Sequence, residues 1–164
     1  MVHRSGAGDD EAVAILKVGV VGAGLMGAEI ALVFALAGHD VLLQDRSEEA
    51  LSRAIERLRT LFDKGVAREF YESDAAKAAL GRIAPVASIS AMADCAMVTE
   101  AVPESLEIKE EVLRVLDEAC RPDCIIASNT STLPISTLAA FLRPERRARF
   151  LGTHYFSPVS RMKL

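Results

Sequence analysis

The hexapeptide Gly22-Ala23-Gly24-Leu25-Met26-Gly27 follows directly on the apolar run Val18-Gly19-Val20-Val21, and Asp45 stands eighteen residues beyond its last glycine. That spacing predicts a strand, a glycine-rich turn, the start of a helix, and a second strand ending in an acid. Each part meets a demand of a dinucleotide. Gly22 allows the tight turn, Gly24 has no side chain to keep the backbone away from a pyrophosphate, and Gly27 lets the helix pack closely on the strand. Leu25 and Met26 open a helix whose N-terminus offers unpaired N–H groups to negative charge. Asp45 is placed to accept hydrogen bonds from ribose hydroxyls. A bare glycine triplet is weak evidence, but the strand before it, the helix after it and the acid at this distance make it strong.

The rest of the chain repeats the alternation of short β-rich runs and helical stretches, which predicts a parallel sheet with crossover helices. Strands are expected at 16–21, around Val41-Leu42-Leu43, at 82–87, 96–102 and 124–127, and from Arg149 into His154. The first helix runs from Leu25 to Ala37, with Ala28, Ala31 and Ala35 letting it lie close to the sheet and Gly38 ending it. Ser47 is placed as an N-cap before Glu48 and Glu49. Leu51, Ile55, Leu58 and Leu61-Phe62 follow at helical spacing. Gly65 is expected to close that helix and a second to span 67–80, the pair (48–80) forming an arm that projects beyond the nucleotide fold. A helix over 104–119 should bury Leu106, Val112, Leu113 and Leu116 and expose Glu107, Glu110 and Glu111 around Lys109. A short helix over 135–142 completes the set.

A chain of 164 residues supports one domain, and its net charge of −4 without a basic run argues against nucleic acid or an anionic membrane as main partner. No apolar stretch reaches membrane-spanning length. Cys95, Cys120 and Cys124 form no CxxC pair and have no histidine at ligand spacing, so they read as reduced thiols of a cytoplasmic protein, with no metal site. Residues 1–14 contain His3, Arg4, two glycines and Asp9-Asp10-Glu11. They lack the apolar core of a secretory signal and read as a disordered leader, leaving 15–164 as the domain.

Three polar constellations stand at predicted strand ends, where open α/β sheets bind ligands. Ser128-Asn129-Thr130-Ser131-Thr132 is either a turn capping the next helix or part of a ligand crevice. His154 is either a satisfied histidine or a proton-transfer group converging on the same crevice as Ser131. Glu100 and Glu104 bracket Pro103, and Glu104 can serve the dipole of the following helix as well as a ligand. His3 and His39 read as incidental.

Taken in order, Val20-Val21-Gly22-Ala23-Gly24-Leu25-Met26-Gly27, Glu100-Ala101-Val102-Pro103-Glu104, Ala127-Ser128-Asn129-Thr130-Ser131 and Gly152-Thr153-His154-Tyr155-Phe156-Ser157-Pro158-Val159 resemble the NAD-binding domain of the L-3-hydroxyacyl-CoA dehydrogenases, over residues 15–164. The resemblance implies a Rossmann-type, doubly wound, mainly parallel sheet with a helical-hairpin insertion, NAD as cofactor, and hydride transfer from C3 of a 3-hydroxyacyl-CoA. His154 matches the family's general base and Ser131 the serine that holds the reacting oxygen. Asn129 would lie near the nicotinamide, and Glu104 and Lys109 fall on cofactor-contacting positions. The hairpin matches an arm against which CoA lies, with Lys64 and Arg68 the candidates for its phosphates. Asp45 repels a 2′-phosphate and favours NAD over NADP, although the adjoining Arg46 is of a type that accommodates one.

The sequence departs from the family pattern at Ser157, where asparagine is usual, and at Tyr155, where phenylalanine is. The family's histidine-orienting glutamate follows the Met-Lys-Leu matched by Met162-Lys163-Leu164, so neither it nor the C-terminal helical domain that makes the homodimer falls within these 164 residues. The expectation is therefore a nucleotide-binding chain that is catalytically impaired by itself. Two other readings stay open: a related dehydrogenase acting on an L-gulonate-like or carrier-bound substrate, and a nucleotide-binding module without turnover.

Overall fold

The computed structural model describes residues 16–159. The expected leader and the Met162-Lys163-Leu164 match lie outside them. Six strands, β1 (Lys17–Val21), β2 (Asp40–Gln44), β3 (Ile83–Val86), β4 (Met97–Glu100), β5 (Ile125–Ser128) and β6 (Phe150–Gly152), form one sheet in the order β3-β2-β1-β4-β5-β6. All five pairings are parallel. A parallel sheet is covered on both faces, which is why its inner strands read as nearly continuous apolar runs.

On one face, Val18, Val20, Val41 and Leu43 pack against α1 (Leu25–Leu36), α2 (Glu48–Ala67) and α3 (Ser73–Gly81). On the other, Val21, Val98 and Ile126 pack against a 3-10 turn (Ile89–Met92), α4 (Leu106–Ala119) and α5 (Ile135–Ala139). Ala28, Ala31 and Ala35 are all buried in α1, as their small size requires of a helix lying close on a sheet.

Several boundaries differ from the sequence reading. Gly65 does not close α2, which continues to Ala67. It is buried inside the helix because the Tyr71 ring lies where its side chain would be, 2.4 Å from a would-be Cβ. The second hairpin helix starts at Ser73, after Glu69 has taken the left-handed conformation (φ 59°). The inner face of α2 is buried from Leu51 to Gly65 along its whole length, so the hairpin packs in the α1 core cluster.

Helix α4 begins at Leu106, with Ser105 as its N-cap, so Glu104 lies before the helix. Leu106 is exposed, and Lys109 and Asp117 join Leu113 and Leu116 on the buried side. The unforeseen helix α6 (Pro144–Arg147), with proline in its first turn, belongs to the β5–β6 connection. Buried Arg146 locks that connection: its Nε donates to Asp117 Oδ1 at 3.0 Å, and its other nitrogens reach the carbonyls of Cys120, Arg121 and Cys124. Arg143 adds a second guanidinium to Asp117 and holds that carboxyl below its usual range, against the desolvation that would raise it.

Candidate active site

The chain leaves β1 toward β2 and leaves β4 toward β5, so the strand order reverses between these neighbours. A crevice opens at their carboxyl ends. A cleft of about 760 Å³ occupies it, lined by Gly22, Gly24, Leu25, Met26, Asp45 and Arg46, among others. Gly22 (φ 100°) donates its N–H to the Gln44 carbonyl at 2.8 Å, and a Cβ there would stand 2.7 Å from the Ala101 carbonyl oxygen. A Cβ on Gly27 would stand 1.7 Å from the Gly22 oxygen, so the third glycine sets how closely α1 meets β1. Gly24 differs: nothing lies within 4 Å of the point a Cβ would occupy. No side chain caps α1 and its first turn carries no acid, so the positive end of the helix faces the cleft uncompensated. This cradle fits a pyrophosphate.

Asp45 braces the turn as well as facing the cleft. Its Oδ2 accepts from Ala23 N–H and its Oδ1 from Ser47 N–H, both at 2.9 Å. Each carboxylate oxygen keeps a second acceptor site for a ribose hydroxyl. Arg53 and Arg57 of α2 also line the cleft, and Arg53 is paired with Glu49. Their spacing of three and seven residues from Ala50, another lining residue, was the available signal.

The second half of the site is built on β5 and β6, which pair Ser128 with Gly152. Beyond these ends, Ser131 Oγ and His154 Nε2 come within 3.1 Å of each other, both on exposed residues. The His154 ring packs at 4.4 Å from that of Phe156. The serine is held from below by Glu104. Its Oε1 accepts from the Thr130 hydroxyl (2.6 Å), the N–H groups of Ser131 and Thr132 (2.9 Å each) and the Thr132 hydroxyl (3.0 Å). Desolvation pushes this carboxyl up, but these four donors together outweigh it and hold it down at about 2. Pro103, the residue before Glu104, lines the nucleotide cleft, so the two halves of the site adjoin.

Lys109, expected to contact cofactor, is instead fully buried. Its ammonium donates to Glu100 Oε1 at 2.7 Å and lies 3.3 Å from Glu104 Oε2, and these two carboxylates draw the cation inward. Glu100, equally buried, also accepts from Val102 N–H (2.8 Å) and the Ser128 hydroxyl (2.5 Å). The Asn129 side chain accepts from Tyr155 N–H at 3.0 Å and thereby bridges the serine loop to the histidine segment. Lys64 and Arg68 are exposed near the C-terminal end of α2, line no part of the cleft, and are not brought to the Ser131–His154 pair. Ser157 turns its hydroxyl to Glu29 rather than to His154. His39 accepts from Leu16 N–H at the opposite side of β1, away from the site. Among the described residues no three His, Cys, Asp or Glu side chains are grouped to hold a metal, and no helix is long and apolar enough to cross a membrane.

An uncapped helix behind a glycine turn, at the strand-order reversal of a parallel sheet and beside a serine–histidine pair, defines the dinucleotide-binding domain of a dehydrogenase. The chain belongs to the family described as 3-hydroxyacyl-CoA dehydrogenase, NAD binding domain, whose model matches residues 17–164. Among relatives, it is 40% identical over 151 residues to 3-hydroxyadipyl-CoA dehydrogenase of Escherichia coli K12, covering 92% of this chain and 31% of that protein. It is 40% identical over 153 residues to a probable 3-hydroxybutyryl-CoA dehydrogenase of Deinococcus radiodurans, covering 91% and 52%. The solved structure of (S)-3-hydroxybutyryl-CoA dehydrogenase PaaH1 from Ralstonia eutropha superposes with a TM-score of 0.87 at 34% identity, covering 92% of this chain and 53% of that one. The chain thus spans about a third to a half of the length of these three relatives. It is an NAD-binding domain of the Rossmann type.

Proposed function

We propose that this domain is the cofactor half of an enzyme that oxidises a 3-hydroxyacyl-CoA to the 3-ketoacyl-CoA, with His154 as general base and Ser131 holding the reacting oxygen. The observation that carries the reading is the 3.1 Å approach of Ser131 Oγ to His154 Nε2 beside the nucleotide cleft. NAD, when bound, supplies the hydride acceptor. The residues that would hold it are Gly22, Gly24, Leu25, Met26 and Gly27 at the pyrophosphate, Asp45 at the adenine ribose with Arg46 beside it, and Glu104 with Asn129 toward the nicotinamide. In the tautomer with the proton on Nδ1, Nε2 accepts from the Ser131 hydroxyl and carries the lone pair a base needs. With substrate, the C3 hydroxyl takes that place, His154 removes its proton, and Ser131 turns its O–H to the oxygen as it becomes a carbonyl. Lys109 supports Glu104 from beneath.

Lys64 and Arg68 are the cations we assign to CoA phosphates, supported by their exposure on the hairpin. The reading implies a cytoplasmic enzyme, in keeping with three free, buried cysteines. It also implies a longer parent dimerising through a helical domain, which sedimentation of that parent tests.

Titration of the chain with NADH, followed by fluorescence, tests the cofactor half, and addition of acetoacetyl-CoA tests the chemistry. NADH binding without oxidation is the expected result for the isolated domain. In a parent carrying the substrate domain, His154→Asn should abolish oxidation while leaving NADH affinity within twofold. Absence of NADH binding, or a fully active His154→Asn parent, would overturn the proposal.

A further inference from the structure

Glu29 has no part in the chemistry just described, yet it is one of the few charged side chains buried in this fold. It is the fifth residue of α1, only 6% exposed, between Ala28 and Ile30, which are both fully buried. Among the described residues no cation lies within ion-pair distance of it. Its partners are instead in the segment that follows His154. Val159 donates its N–H to Oε2 at 2.7 Å, and the Ser157 hydroxyl stands 3.4 and 3.5 Å from the two oxygens. A buried carboxylate without a cation costs several kcal/mol unless hydrogen bonds satisfy it. A leucine of similar volume would fill this space without that cost, but it could not bind a backbone N–H group.

Backbone N–H groups fasten the segment from Thr153 to Val159 to the fold at three points, besides the contact of His154 with Ser131. Thr153 N–H donates to the Ser128 carbonyl (2.9 Å) and Tyr155 N–H to Asn129 Oδ1 (3.0 Å), so the tethers on either side of His154 both run to the β5 end. Beyond Tyr155 the polar tether among the described residues is Glu29, and it runs to a different element, α1. Tyr155 and Val159 are buried in the cluster that includes α1, whereas His154 and Phe156 point outward with their rings in contact. The tethers at Thr153 and Tyr155 hold the histidine to the β5 end, and the Glu29 tether holds the same segment to α1.

Taking His154 as the base, as proposed above, we propose that Glu29 is a positioning residue for it. The carboxylate fastens the histidine segment to the helix whose N-terminus faces the nucleotide cleft, making the base and the cofactor cradle one rigid body.

Imidazole spectra of the ¹⁵N-labelled chain test this directly. The chain has three histidines, His3, His39 and His154, and His154→Asn identifies the third by the signals it removes. In Glu29→Gln a carbonyl oxygen still accepts from Val159, so the His154 ring signals and the slow exchange of the Val159 amide should be retained. In Glu29→Asp the carboxylate is withdrawn by one methylene, about 1.5 Å. The His154 signals should then move at least halfway to those of a free histidine, and Val159 exchange should speed at least tenfold. Circular dichroism should show the same fold, and NADH affinity should stay within twofold.

A purely structural role would lower the melting temperature of Glu29→Asp but leave the His154 signals of the folded protein in place; that result would overturn the proposal. Should Glu29→Ala fail to fold, the Asp and Gln variants decide. Failure of the unsubstituted chain to bind NADH would strike at the cofactor reading instead, and the His154 spectra would still decide the role of Glu29.

Discussion

Replacing Glu104 by glutamine tests how the serine loop is held. The side chain keeps its length, but the oxygen that accepts four hydrogen bonds loses its charge, and the other oxygen, 3.3 Å from the Lys109 ammonium, becomes an amide donor facing a cation. The magnitude follows from the carboxyl's titration. It is held at about 2 against an ordinary 4.5, which at about 1.4 kcal/mol per pH unit bounds its contribution at roughly 3 kcal/mol. About a third of the side chain is exposed (35%), and solvent screening reduces the net to roughly 1.5–2 kcal/mol.

The sign is that of a depressed acid. The contribution is complete above pH 4.5 and is lost as pH falls toward 2, because the unfolded chain takes up the proton first. Urea unfolding at pH 7, 5, 4 and 3 should show Glu104→Gln about 2 kcal/mol less stable at pH 7, with the gap shrinking below pH 4.5. A gap that is constant across this range, or smaller than about 0.5 kcal/mol at pH 7, would refute the assignment.

Lys109→Met leaves the buried Glu100 carboxylate without its cation, and urea melts should show a loss of about 3–5 kcal/mol that Glu100→Gln partly restores in the double variant. Gly24→Ala should fold normally and bind NADH at least tenfold more weakly, since its methyl enters open cleft; Gly27→Ala should fail to reach the native fold, because its methyl meets the Gly22 carbonyl. A dissociation constant for NADH at least tenfold below that for NADPH is expected from Asp45, and the reverse order would show that Arg46 and its neighbours Arg53 and Arg57 dominate.

The glycine turn, Asp45, the strand ends bearing Ser131 and His154, and the parallel order were legible in the sequence because each is a local pattern with a single geometric meaning. Lys109 was not. It falls four residues before Leu113 and seven before Leu116, on the buried stripe of α4, but its charge and its acidic neighbours read as a solvated face. Its burial is made possible by two carboxylates that lie outside its own helix, Glu100 at the end of β4 and Glu104 before α4. Glu29 was hidden in the same way, a lone acid in an otherwise apolar helix whose donors arrive from 128 and 130 residues away. Gly65 was misread because a helix end and a close approach both select glycine, and the Tyr71 ring that decides between them is a tertiary contact. The short α6 carried no periodicity from which to be read.

The sheet order places β6, three residues long, at the margin of the sheet, where β5 is its sole neighbour among the described residues. Margins of this kind open at a small fraction of the free energy needed to unfold the whole domain. The glycine turn, by contrast, leaves β1, which has a strand on either side. Amide protons around Gly22 should therefore last as long as the fold does, while those of Phe150 to Gly152 exchange through local opening. Local opening at this margin leaves His154 in place, because the segment beyond the strand is fastened to α1 as well as to the serine loop.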